Sequence, residues 1–243
     1  MAVTFDIFFS ATKPHQENEF QVVDYSRPAV HTLADGLRFE FSFVPEEPGS
    51  VDDYIAWYHP KPGDLVFDLG AHSGISVYHF SKMVGPSGRV VCFEPDPISL
   101  DFLRKNIARH HLENVTVVEA AIGGMDGTAS FSSEGTLFSS LTNVLPKKPA
   151  GNVLNVPVMS LRTAFNKFGA PSLCKIDIEG AEVEALETLC EQLHSLETNF
   201  VVDTNHKVHG DITAKRVEAI FRRGGYETET IAKTGSTTYA RPA

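Results

Sequence analysis

Val66-Phe67-Asp68-Leu69-Gly70-Ala71-His72-Ser73-Gly74 decides the fold. An apolar run ends in an acid, passes through a turn of small residues and opens into a helix. A second apolar run, Arg89-Val90-Val91-Cys92-Phe93, follows and ends in Glu94-Pro95-Asp96-Pro97. A strand, a glycine turn, a helix and a second strand tipped by an acid form the nucleoside-binding half of a doubly wound sheet. Parallel neighbours place their carboxyl ends at one edge, so Glu94 and the turn face the same crevice. Gly70 and Gly74 suit a turn that needs positive φ or close approach, where a Cβ is excluded. Glu94 can accept hydrogen bonds from both hydroxyls of a ribose.

The spacing selects among nucleosides. Dinucleotide sites carry G-x-G-x-x-G, with a pyrophosphate on the helix N-terminus. Here the pattern is Gly70-x-x-x-Gly74, and Asp68 precedes the turn. An acid there repels a pyrophosphate and suits a cationic amine. S-adenosylmethionine, with its amine and sulfonium, fits better than NAD. The expected cofactor set is Asp68, Gly70, Ala71, His72, Ser73, Gly74, Glu94, Pro95, Ala121 and Asp177.

The alternation continues beyond these motifs. Strands are expected at 65–69, 89–94, 115–120, 173–178 and 199–203, with helices at 74–84, 97–110, 161–168, 181–193 and 212–223. That order predicts right-handed crossovers and a mostly parallel α/β sheet. Short strands near 226–232 and 237–241 predict a C-terminal antiparallel hairpin. This suits a class I methyltransferase better than a six-parallel-strand dehydrogenase. Residues 1–50 read as a β-containing cap, with strands expected at Val3 to Phe9 and Leu37 to Val44. Residues 51–243 read as the catalytic domain, and Asp52 to His59 as a short helix. A Ser-, Gly- and Pro-rich, β-forming insertion at about 126–160 is either a substrate lid or a plain extension.

Composition bounds the function. The 243 residues are 42% hydrophobic, enough for a buried core. The net charge is -10, from 31 acids and 21 bases, which opposes a nucleic-acid-binding face. Cys92, Cys174 and Cys190 show no C-x-x-C spacing and read as small buried hydrophobes. The N-terminal apolar patch is short and acidic, and no run approaches 18 apolar residues. A soluble cytoplasmic protein with no membrane partner is the expectation.

A second constellation lies at Cys174-Lys175-Ile176-Asp177-Ile178-Glu179-Gly180-Ala181-Glu182. On a strand, Asp177 and Glu179 would share a side, beside the transferred group. Glu182 fits helix capping. The fifth strand ends in Asp203-Thr204-Asn205-His206, with His209 beyond. Asp177, Glu179 and His206 are the candidate catalytic residues. Asp177, Asp203 and Asn205 form a possible Mg²⁺ set.

Together, Phe67 to Gly74, Cys92 to Pro97 and Lys175 to Glu182 resemble the FkbM family of S-adenosylmethionine-dependent methyltransferases, over about residues 50–205. The resemblance implies that Asp68, Gly70 and Glu94 hold cofactor and that Asp177 and Glu179 sit beside the methyl group. It also implies a small-molecule acceptor, the hydroxyl of a sugar or natural product. In this chain Asp203 and His206 are spaced more widely than the family's acid and His. The alternatives are an NAD-dependent oxidoreductase, a metal-dependent small-molecule O-methyltransferase, a nucleic-acid methyltransferase and a non-catalytic binding module.

Overall fold

The computed structural model describes residues 15–17, 20–22, 30–33, 36–41, 49–133, 139–141, 152–208, 210–232 and 236–243. The expected strand at Val3 to Phe9 lies outside them. The N-terminal segment contributes two antiparallel hairpins, β1 (His15–Glu17) with β2 (Phe20–Val22) and β3 (Val30–Thr32) with β4 (Arg38–Glu40). Leu33, Phe39 and Phe41 pack on Ile75 of the core. Asn106 accepts from the Glu40 N–H at 2.9 Å and donates to the carbonyls of Glu40 and Ser73, so it ties the second hairpin to the glycine turn. A short helix follows, α1 (Gly49–Tyr54).

The core alternates strand and helix: β5 (Leu65–Leu69), α2 (Ile75–Val84), β6 (Arg89–Phe93), α3 (Pro97–Arg109) and β7 (Val115–Val118). The insertion supplies β8 (Ala121–Gly123), β9 (Gly127–Ser133), β10 (Ser140–Leu141) and β11 (Asn152–Ser160). Then come α4 (Leu161–Phe168), β12 (Leu173–Ile176), α5 (Glu182–Glu187), β13 (Asn199–Asp203), β14 (Lys207–Val208), β15 (Asp211–Ile212), α6 (Ala214–Arg223), β16 (Tyr226–Ala232) and β17 (Ser236–Pro242).

The seven-stranded central sheet has the order β16-β17-β13-β12-β5-β6-β7. β12, β13, β5, β6 and β7 run parallel, and β17 is antiparallel to both its neighbours. This is the class I methyltransferase architecture expected from the alternation and the closing hairpin. Apolar runs on the inner strands follow from burial on both faces. Phe67, Leu69 and Phe93 pack against α4, α5 and α6 on one side. Val66 and Val90 pack against Val77, Phe80 and Leu103 of α2 and α3 on the other.

Some expectations shift. The third strand stops at Val118, and Ala121 belongs to a second sheet, order β10-β9-β11-β8, in which β8 runs parallel to β11. The helix expected over 181–193 ends at Glu187. The break is local: Thr188 Oγ1–H donates to the Ala185 carbonyl at 2.7 Å, and the Leu189 and Cys190 N–H groups turn to the carbonyls of Leu186 and Glu187, three residues back. Cys92 and Cys174 are buried as expected, whereas Cys190 is only half-buried. Among the described residues, no helix is long and apolar enough to cross a membrane.

Candidate active site

The glycine turn lies at the carboxyl end of β5. Gly70 and Ala71 donate to the Phe93 carbonyl at 3.0 and 3.1 Å, which docks the turn on the tip of β6. Gly70 has φ 79°, and an added Cβ would fall on the Asp177 carbonyl oxygen, deep inside van der Waals contact. The neighbour that excludes a side chain there is therefore the backbone after β12. Gly74 has φ 90°, and its Cβ would meet Leu103 Cδ1 at 2.5 Å. Ala71 and Ser73 are buried in the protein.

Asp68 does not keep its charge for a ligand's amine. It is fully buried, accepts from Ser76 Oγ at 2.5 Å and pairs with Lys175 Nζ at 3.1 Å. Lys175 stands directly opposite Asp68 across the parallel pair β5–β12. Its ammonium also donates to the Gly70 carbonyl at 2.7 Å and lies 5.3 Å from the centre of the Tyr54 ring. The sequence pattern had not singled out Lys175. The available signal was one acid and one base inside neighbouring apolar strands, since an unpaired charge there is prohibitive.

Glu94 sits at the tip of β6, 6% exposed. Its Oε2 accepts the His72 N–H at 2.7 Å and its Oε1 accepts the Asp96 N–H at 2.9 Å. His72, at φ 46°, turns its N–H toward the carboxylate. Burial raises the Glu94 pKa to about 7 despite these two bonds. Pro95 stands between Glu94 and Asp96 at the same tip. Ala121 packs with Phe131, Leu141, Val156 and Ala181 in the apolar cluster of the insertion.

The second constellation is not a strand. β12 stops at Ile176, and Glu179 and Gly180 turn with φ 54° and 103°. The left-handed conformation costs a residue with a side chain about 1–2 kcal/mol. Asp177 Oδ2 accepts from Tyr54 Oη at 3.3 Å, which brings α1 to the site. Glu179 Oε2 lies 3.3 Å from His206 Nε2, and Glu182 Oε1 lies 3.0 Å from His206 Nδ1. Glu182 is fully buried in the first turn of α5 and accepts the Gly180 N–H at 2.9 Å, so it braces the preceding turn, and no side chain caps the helix N-terminus. Burial alone would lower the His206 pKa, but the two carboxylates overcome it and hold it at about 11. Burial raises the Glu179 carboxyl, and His206 opposes that rise.

Both ring nitrogens of His206 thus face carboxylates, an arrangement that favours the imidazolium and opposes the expected role of this residue as a general base. Burial first, then the nearby Asp177 charge, raise the Asp203 pKa to about 6. Asn205 is held beside Asp203, to which both its backbone and side-chain N–H groups donate at 3.1 Å. The residue that joins Asp177 and Asp203 is His206, with one potential ligand atom of each within 4.8 Å of the others. Mg²⁺ takes oxygen donors, whereas this set brings in an imidazole whose two carboxylate neighbours favour its protonated form, so it does not match an oxygen-only Mg²⁺ site. His209 lies outside the described residues. A cavity of about 590 Å³, between the insertion and α5, includes Met125, Leu141, Val158 and Glu184 in its lining and none of the crevice residues above.

The fold and the crevice define a class I methyltransferase architecture. The Methyltransferase FkbM domain matches residues 68–228, and the chain belongs to that family. It is 35% identical to the 31-O-demethyl-FK506 methyltransferase FkbM of Streptomyces tacrolimicus over 81 residues, 32% of this chain and 30% of that protein. It is 24% identical to Methyltransferase sdnD of Sordaria araneosa over 171 residues, 58% of this chain and 66% of that protein. The chain spans between 22 and 66% of the length of the curated relatives it matches. The solved Methyltransferase FkbM from Methylobacillus flagellatus superposes with TM-score 0.56 at 17% identity, covering 80% of this chain and 50% of that one. Aeropyrum pernix fibrillarin, solved with bound S-adenosyl-L-methionine, superposes with TM-score 0.51 at 12% identity, covering 95% of this chain and 98% of that one.

Proposed function

We propose that this protein transfers a methyl group from S-adenosylmethionine to a hydroxyl of a small molecule, such as a sugar or a natural product. The observation that carries this reading is the Asp177–Asp203 carboxyl pair at the tips of β12 and β13, on the same sheet edge as Glu94. The cofactor fits the residues present. Glu94 is buried, is oriented by two backbone N–H groups, and keeps acceptor capacity for the two donors of a ribose diol. Asp177, Glu179, Glu182 and Asp203 surround a single imidazolium, an excess of negative charge that suits a cationic ligand.

S-adenosylmethionine, when bound, supplies an electrophilic methyl on its sulfonium. The chain aligns the acceptor and takes its proton. An alcohol is a weak nucleophile while protonated, and a base in hydrogen-bond reach contributes typically ~10²–10⁴-fold. Asp203, at about 6, is ionised at neutral pH and still basic enough to share that proton. Asp177, anchored by Tyr54, stands beside it. Glu179, His206 and Glu182 fix the turn that carries Asp177. The acidic net charge of -10 favours a small acceptor over a polyanion such as RNA. The antiparallel β17 argues against an NAD-dependent oxidoreductase.

The test is turnover of labelled S-adenosylmethionine with a panel of hydroxyl-bearing sugars and polyketides. Asp203→Asn should lower kcat by ~10²-fold or more while cofactor affinity stays within about threefold. Full turnover by Asp203→Asn would remove the assigned base. Loss of activity on exhaustive EDTA treatment, restored by Mg²⁺, would replace this route with a metal-assisted one.

A further inference from the structure

Asp96 joins two parts of the molecule that the reaction does not obviously require to communicate. Its carboxyl group is fully buried. Oδ1 accepts the Ile98 N–H at 2.9 Å, capping α3, and accepts Ser133 Oγ of β9 at 2.9 Å. Oδ2 accepts Ser139 Oγ, next to β10, at 2.6 Å. The cap needs only one acceptor. The other two bonds come from the insertion. The backbone N–H of the same residue donates to Glu94 Oε1. One residue therefore sets an oxygen of the ribose-facing carboxylate and also receives two serines from a separate sheet.

The insertion has a second anchor on the crevice. Phe131, Leu141 and Val156 pack on Ala181, with Ile178 at the margin. Those two residues flank the turn that carries Glu179 and Gly180. The insertion thus bridges the cofactor side and the acid side of the site. A plain β extension would need neither contact.

We infer that Asp96 is a positioning residue that couples the insertion sheet to cofactor occupancy, with Ser133 and Ser139 as its contacts on the insertion. The inference rests on the assignment of Glu94 to the cofactor. A bound ribose pulls on Glu94, Glu94 holds the Asp96 N–H, and the Asp96 carboxyl holds the two serines. Coupling of this kind is reciprocal: a ligand that steadies the insertion is itself bound more tightly when the insertion is docked.

The experiment is hydrogen exchange with and without S-adenosylhomocysteine on the full chain, comparing wild type, S133A/S139A and Ser130→Ala. Ser130 lies on the same strand but reaches Asn155 rather than Asp96, so its variant controls for loss of a strand hydroxyl. In wild type and Ser130→Ala, the ligand should slow exchange both at 70–76 and in β9 and β11. In S133A/S139A, protection at 70–76 should persist while that in β9 and β11 disappears, and ligand affinity should fall about tenfold. Protection of β9 and β11 that survives in S133A/S139A, or that is missing from wild type with 70–76 protected, overturns the coupling alone. Absence of protection at 70–76 in wild type overturns the cofactor assignment and the coupling with it.

Discussion

The proposed ribose role of Glu94 makes cofactor affinity a function of pH. Its carboxyl is buried and raised to about 7, while its proposed task, accepting from two ribose hydroxyls, requires the ionised form. About nine-tenths of the unliganded protein carries a protonated Glu94 at pH 6 and about one-tenth at pH 8. Binding must expel that proton, so Kd for S-adenosylhomocysteine should rise about tenfold from pH 8 to pH 6. Calorimetry in buffers of different ionisation enthalpy should show nearly one proton released per ligand at pH 6 and almost none at pH 8. Glu94→Gln removes the titrating group and the charge-assisted bonds, each worth ~1.5–3 kcal/mol. Its affinity should be weaker throughout and flat over the same range, which separates Glu94 from any titration of the ligand. A wild-type Kd constant within twofold between pH 6 and pH 8, with no proton release, would refute the ribose assignment.

Lys175→Met should strand Asp68 as an unpaired buried charge and lower unfolding free energy by about 3–5 kcal/mol in urea titrations; D68N/K175M should regain most of it, and an equally unstable double variant would deny the pairing. His206→Gln should retain the acid limb of the pH–rate profile but move it upward, because the limb is assigned to Asp203 and the nearby His206 charge lowers that group's pKa; its disappearance would make His206 the base after all. His206 also links stability to pH. Its folded pKa of about 11 exceeds the ordinary 6.5, so its contribution is complete below 6.5 and is lost as pH rises through 11. Stability of His206→Gln should therefore decline less than that of wild type between pH 7 and pH 10, and parallel declines would count against the clamp. Gly70→Ala should be far more damaging than Gly85→Ala. Both positions have positive φ, costing about 1–2 kcal/mol, but a Cβ at Gly85 meets open space while one at Gly70 strikes the Asp177 carbonyl. Equal melting temperatures for the two variants would mean that the turn and the β12 loop do not touch.

The strands were legible because sheet burial leaves a mark in sequence: Val66 to Leu69 and Val90 to Phe93 are apolar where both faces are covered. The break in the helix after Glu187 was not legible, because the apolar pattern runs on through Leu189 and Leu193 while the backbone bonds tighten to three-residue spacing. The same distinction runs through the site. Glu94 was legible as a strand-tip acid because its placement follows from β6 alone. Asp68 was misread because its charge is answered by Lys175, about a hundred residues downstream, through a register that only the folded sheet sets. The surroundings of His206 were hidden for the same reason, since the carboxylates that face its ring, Glu179 and Glu182, lie at the entry to α5. Local pattern locates a chemical group, and tertiary pairing sets its charge state. The negative potential first ascribed to Asp68 is therefore a property of the joined ends of β12 and β13. Substitution at Asp177 should consequently weaken binding of a cationic ligand more than that of a neutral analogue of the same size.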